Sequence, residues 1–126
     1  MDNQEIRAAL DHHWEATVAL DIDRSHDIYH DDVIVEFPQS GKRIIGKHNI
    51  YELRAYYPAK LSFKILRTRG EGNLWISEIV ITYDGRPVNA VSIMEFRDGK
   101  VGRETIYFAD PFEPPEWRSQ WVERIQ

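Results

Sequence analysis

An α+β domain is expected because the hydrophobic period changes once along this chain. Up to Tyr57 helical spacing predominates, broken by the short apolar run VIVEF, and from Leu61 onward apolar residues alternate. Three glycine-containing segments, GEGN (70–73), DGR (84–86) and DGK (98–100), cut the second part into long strands. Strands joined this tightly form an antiparallel meander. Helices first and a long curved sheet second place the helices on one concave face of that sheet.

The elements follow in order. Residues 3–22 carry Ile6, Leu10, Trp14, Val18 and Ile22 in steps of four, one stripe along a helix. Asp2, with Glu5 three residues on, reads as the N-cap of a capping box. His13 and Thr17 lie on or beside the stripe, while Asp11, His12 and Glu15 point elsewhere. A second, short helix is expected over Arg24–His30. VIVEF (33–37) is a β-branched strand ended by Pro38, PQSGKR is a turn, and Arg43–Ile45 is a short strand. Gly46 opens a third helix to about Tyr57, with Ile50, Leu53 and Tyr57 on its apolar side and Pro58 as its stop. KLSFKILRTR, LWISEIVITY, PVNAVSIMEF and KVGRETIYFAD are the four strands of the meander.

Composition narrows the function classes. At 126 residues, 42% of them hydrophobic and 29% charged, the chain is long enough and apolar enough for one packed domain. Its core spans about residues 5–110 and its tail 111–126. A net charge of −5 argues against general affinity for nucleic acid phosphates or anionic membranes. With no cysteine, disulfides, thiolate nucleophiles and thiolate metal sites are excluded. MDNQEIRAAL shows no basic region followed by an apolar run, and no apolar stretch approaches the roughly 20 residues that span a bilayer. A cytoplasmic location is expected.

The order helix, DDVIVEFPQSG, helix, meander resembles the SnoaL-like group of the nuclear transport factor 2-like (NTF2-like) superfamily. YHDDVIVEFPQSGKRIIGKHNI carries most of the likeness, and MEFRDGKVGRETIYF matches the group's last hairpin. The resemblance covers roughly residues 5–110. It implies a cone of three N-terminal helices packed on a curved, mainly antiparallel sheet that encloses a pocket. Members include ketosteroid isomerases, polyketide cyclases, dehydratases, epoxide hydrolases and pure binding proteins, so fold alone settles no chemistry.

Alternation then sorts the strands. Val33, Val35 and Phe37 share one face. Trp75, Ser77, Ile79, Ile81 and Tyr83 form one inward set, Ser92, Met94 and Phe96 the next, then Glu104, Ile106, Phe108 and Asp110. The opposite set, Ile76, Val80, Val91 and Ile93, is also apolar and needs a second cover. In this superfamily the cover is usually another subunit, so the resemblance implies a homodimer through the outer sheet face.

The family's known devices are mostly missing. Where the isomerases end the first strand on a general-base Asp, the matching residue is Phe37. Their oxyanion donors match His13 and Met94, or Ser92 one inward step away. The last-strand Asp of SnoaL-type cyclases matches Ile106, and no inward Asp–Arg–Asp set of an epoxide hydrolase is present. Glu104 remains, on an otherwise apolar face where burial raises a carboxyl pKa and poises it as an acid or base. His13 is its natural partner.

One reading is therefore an acid–base isomerase, cyclase or lyase acting on a small hydrophobic molecule. Glu104 and His13 are its catalytic residues, and Trp14, Phe37, Tyr83, Ser92, Met94, Ile106 and Phe108 line its pocket. The alternatives are a non-catalytic ligand-binding protein or a dimeric interaction protein of the same fold. In the blandest case Glu104 pairs with a buried Arg or His and closes the core. No cofactor is expected, nor a metal: His26 and His30 sit four apart on the expected second helix, but they should face water and lack a third ligand. Trp117 and Trp121, one helical turn apart beyond three prolines, must pack on something. A lid across the cone mouth and a clamp across a dimer are the two options, with the clamp favoured.

Overall fold

A computed structural model describes residues 1–125. Three helices, α1 (Asn3–Val18), α2 (Ile22–Ser25) and α3 (Lys47–Ala55), pack on a six-stranded sheet. The strands are β1 (Tyr29–Phe37), β2 (Lys42–Ile45), β3 (Leu61–Glu71), β4 (Leu74–Tyr83), β5 (Arg86–Arg97) and β6 (Lys100–Ala109), in the spatial order β2-β1-β6-β5-β4-β3. Every neighbouring pair is antiparallel except β1 and β6. That parallel pairing closes the sheet's two halves and sets Val35 beside Glu104.

The first helix forms as its cap requires. The Asp2 carboxylate accepts from the Glu5 amide at 2.8 Å, and the Asp2 amide donates back to Glu5. Ile6, Leu10 and Trp14 bury their stripe against the sheet, each contributing roughly 1.5–3 kcal/mol of hydrophobic stabilisation. The helix ends at Val18 rather than at residue 22, because Leu20 takes a left-handed conformation (φ 60°) and Asp21 caps α2. Val18, at the end of the expected stripe, is therefore exposed.

The expected second helix over Arg24–His30 is instead the single turn of α2 followed by a 3-10 turn at His26–Ile28. Tyr29 and His30 belong to β1, four residues ahead of the expected strand start. Tyr29 pairs with Val101 of β6 and is buried, which outweighs continuing a helix into solvent. Helix α3 stops at Ala55, short of Tyr57, and of its expected apolar side only Ile50 is fully buried.

The meander strands fall where the turns place them. Asp84–Gly85 and Asp98–Gly99 both hold two consecutive positive-φ residues, the mirror-image turn whose twist suits a two-residue hairpin. Trp75, Ser77, Ile79, Ile81, Ser92, Met94, Phe96, Glu104 and Ile106 are buried on the inner face. Asp110 is not: it lies past the end of β6, exposed, and pairs with Arg86 at 3.3 Å. On the outer face Val80, Val91 and Ile93 are half-buried and Ile76 is 37% exposed.

The tail ends in a 3-10 helix, Glu116–Trp121. At three residues per turn, side chains four apart point about 120° from each other, so Trp117 and Trp121 do not share a face. They are 75% and 71% exposed and do not cover the cone mouth of their own chain, which excludes the lid within one subunit. No helix among the described residues is long and apolar enough to cross a membrane.

Gly70 offers a direct test of the packing under β3. A Cβ there would sit 2.5 Å from Trp75 Cδ2 and closer still to the Leu74 carbonyl, so the clash is with backbone as well as side chain. Gly70→Ala is expected to lower stability by about 1–3 kcal/mol, read as a shifted urea midpoint with unchanged slope.

Candidate functional site

Helices and sheet enclose a cavity of about 580 Å³. Its walls include Trp14, Phe37, Phe63, Ile79, Ile106 and Phe108, with Leu53, Tyr57 and Tyr83 also on its lining. Leu53 and Tyr57 are only half-covered because they face this space rather than the packed core. Phe37 and Phe108 stack with centroids 6.1 Å apart. Trp14 is held upright by its indole N–H, which donates to Ser77 Oγ at 3.0 Å.

One wall of the cavity is polar, and its centre is Glu104, 2% exposed. Tyr29 donates its hydroxyl to Glu104 Oε1 at 2.5 Å, and Ser92 donates to Oε2 at 2.5 Å. Arg54, reaching in from α3, places Nη2 3.6 Å from Oε1. Its Nη1 donates to the Tyr29 oxygen at 3.0 Å and to His26 Nε2 at 3.2 Å. His26 in turn donates Nδ1–H to the Ile22 carbonyl at 2.8 Å. A buried carboxylate thus meets two hydroxyl donors and a guanidinium, the donor-only surroundings that its lone pairs require.

His13 stands apart from that chain. Its Nδ1 lies 2.6 Å from the Ser25 carbonyl, which can only accept, so Nδ1 carries the proton. Burial, with a smaller push from Arg54, lowers its pKa to about 4 and keeps the ring neutral near pH 7. Burial and Arg54 likewise take His26 to about 4. Burial raises the Tyr29 phenol, and burial beside Tyr57 pushes Tyr83 up to about 12. Burial works against the Arg54 charge, yet Tyr29 and Glu104 hold its pKa above the ordinary value.

The sequence pattern of the SnoaL-like domain matches residues 6–104. The chain belongs to the SnoaL-like family of the NTF2-like superfamily. A crystal structure of an NTF2-like protein of unknown function from Burkholderia xenovorans LB400 is 56% identical, with a TM-score of 0.93 over 100% of this chain and 99% of that one. A protein from Kribbella flavida, provisionally named a ketosteroid isomerase, is 24% identical at a TM-score of 0.88, covering 98% of this chain and 91% of its own. An epoxide hydrolase from M. tuberculosis is 22% identical at 0.66, covering 85% and 84%. The last two share the fold. No curated protein matches.

In this SnoaL-like chain the residues expected at the site separate into two groups. His13, Trp14, Phe37, Tyr83, Ser92, Glu104, Ile106 and Phe108 all line the cavity. Met94 does not: directly opposite Glu104 on β5, it is 1% exposed and packs into the core. His13 and Glu104 share no hydrogen bond, because His13 is turned to Ser25 and Glu104 is met by Tyr29, Ser92 and Arg54. The carboxylate is thus paired with an arginine while the cavity beside it stays open.

Tyr29, His26 and Arg54 are site residues that the sequence reading missed. His26 was expected to face water and is 3% exposed, because the 3-10 turn points its ring inward. His30 opens out on β1 and its ring is bonded to the Arg97 carbonyl. Arg54 stands four residues after Ile50, one turn along the buried side of α3, and that spacing was the available signal. Among the described residues no three His, Cys, Asp or Glu side chains come together as a metal site.

The histidines give a pH signature. Their folded pKa of about 4 lies below the ordinary 6.5, so between those values the unfolded chain binds more protons. Their contribution to stability is complete above about pH 6.5 and is lost as the pH falls towards 4. At about 1.4 kcal/mol per pKa unit, His13 alone accounts for roughly 3 kcal/mol. Urea midpoints across that range should fall more steeply for the natural chain than for His13→Gln.

Proposed function

We propose that this protein is an acid–base enzyme of the isomerase, cyclase or lyase type acting on a small hydrophobic molecule. One observation carries the reading: an apolar-walled cavity has both an unprotonated imidazole nitrogen and a hydrogen-bonded carboxylate on its lining. His13 accepts a proton at Nε2. Glu104 is the second proton site, linked through the Tyr29 hydroxyl to Arg54. Since His13 and Glu104 do not touch, a substrate lying between them can exchange a proton with each. The ketosteroid isomerase and epoxide hydrolase names of proteins with this fold support chemistry on apolar, oxygen-bearing molecules.

A second reading, a non-catalytic binding protein, is favoured by one feature. Both Glu104 oxygens already accept from within the protein, which suits a fixed polar anchor. Glu104→Gln separates the two. For the enzyme, turnover of a panel of small enols, phenols and hydroxyketones should fall about 100-fold or more with ligand binding retained. Unchanged turnover rejects Glu104 as a proton carrier.

The protein also acts as a homodimer in this reading, joined through the outer sheet face. Half-buried Val80, Val91 and Ile93 beside exposed Ile76 and Tyr107 support it, and the bare Trp117 and Trp121 fit a clamp on the partner. Sedimentation should give close to twice the 14.9 kDa chain mass, and Ile93→Lys should return the single-chain value.

A further inference from the structure

The two buried histidines of the cavity differ in one respect. Each gives its Nδ1 proton to a backbone carbonyl, Ser25 for His13 and Ile22 for His26. Each is left with a bare lone pair at Nε2. That of His26 is filled by Arg54 at 3.2 Å. That of His13 has no protein partner among the described residues, on a side chain 3% exposed that lines the cavity. The neighbouring acceptors already receive donors, Glu104 from Tyr29 and Ser92 and the Tyr29 oxygen from Arg54.

His13 Nε2 is therefore an unfilled acceptor on the cavity lining, and an acceptor selects a donor. A ketone, an ether or an anion presents only lone pairs, which would face the lone pair of Nε2. An ammonium would stand in the same cavity as the Arg54 guanidinium. We infer that the cavity selects a hydroxyl-bearing apolar molecule, a phenol, enol or alcohol, whose O–H donates to His13 Nε2. The stacked Phe37 and Phe108, with Trp14 and Phe63 on other walls, suit a flat ring behind that hydroxyl. The inference rests on the cavity being a ligand site and names what the ligand must carry.

Calorimetric titration at pH 7.5 with 2-naphthol, 2-methoxynaphthalene and naphthalene tests it. The three share one skeleton, and only the first is a donor. The expected result is 2-naphthol binding about 10-fold more tightly than its methyl ether, since the ether leaves a buried acceptor unpaired. In His13→Phe the two affinities should come within about twofold of each other. Should that variant not fold, the comparison on the natural protein decides alone. Equal binding of naphthol and ether overturns the selection of a donor while leaving the cavity as a ligand site. Binding of none of the three overturns both. The proton-transfer reading is decided separately, by the turnover of Glu104→Gln.

Discussion

A carboxylate taken out of water costs several kcal/mol unless opposite charge and donors replace the solvent, and Glu104 is 98% covered by protein. Everything that replaces its water comes from a different part of the chain. Tyr29 arrives at the start of β1, Ser92 from the middle of β5, and Arg54 from the last turn of α3. Each contact fixes the element that bears it. The parallel pairing of β1 with β6 brings the Tyr29 hydroxyl to the carboxylate, and α3 must lie close enough for a long guanidinium arm to span the gap. Removing one partner of such a buried set typically costs about 3–5 kcal/mol, because the remaining charge is left uncompensated.

The same arrangement keeps the interior open. Helix α3 is pinned at Ile50 and reaches the sheet further on through the tip of Arg54, so the rest of its inward side stands off. Leu53 and Tyr57 then border space instead of packed side chains. Chemistry and architecture are coupled here. The residues that satisfy the charge also leave a cavity beside it, and the Nε2 lone pair of His13 on its lining has no protein partner among the described residues.

How far this was legible depends on whether the signal was local. The meander was legible because two-residue turns and strict alternation both act over a few residues, and they place Ser92, Glu104 and Ile106 on one face without further information. His13 and Trp14 followed from the same logic on α1. Tyr29 and His26 did not, because their positions are set by a one-turn helix, a 3-10 turn and a strand pairing with residues some seventy positions away. A helical reading over Arg24–His30 satisfied local propensity and lost to that pairing. Arg54 was hidden for a different reason: an arginine on a short helix is ordinarily solvated, and only a buried carboxylate opposite it draws it inward. The tryptophan tail was misjudged by assuming an α-helical turn where the chain takes the tighter 3-10 form.

The parallel β1–β6 pair also has a bearing on how the molecule comes into being. Strand β1 begins at Tyr29, and its neighbour in the finished sheet is made last, at Lys100–Ala109. As the chain leaves the ribosome, the helices and the hairpins of β3, β4 and β5 can close early on contacts between near neighbours. Strand β1 then has only the short β2 beside it. Glu104 is the final member of its cluster to be synthesised, so Tyr29 waits without its acceptor and Arg54 without its counter-charge until β6 is made. The chemistry of the cavity therefore cannot exist in any intermediate that lacks β6.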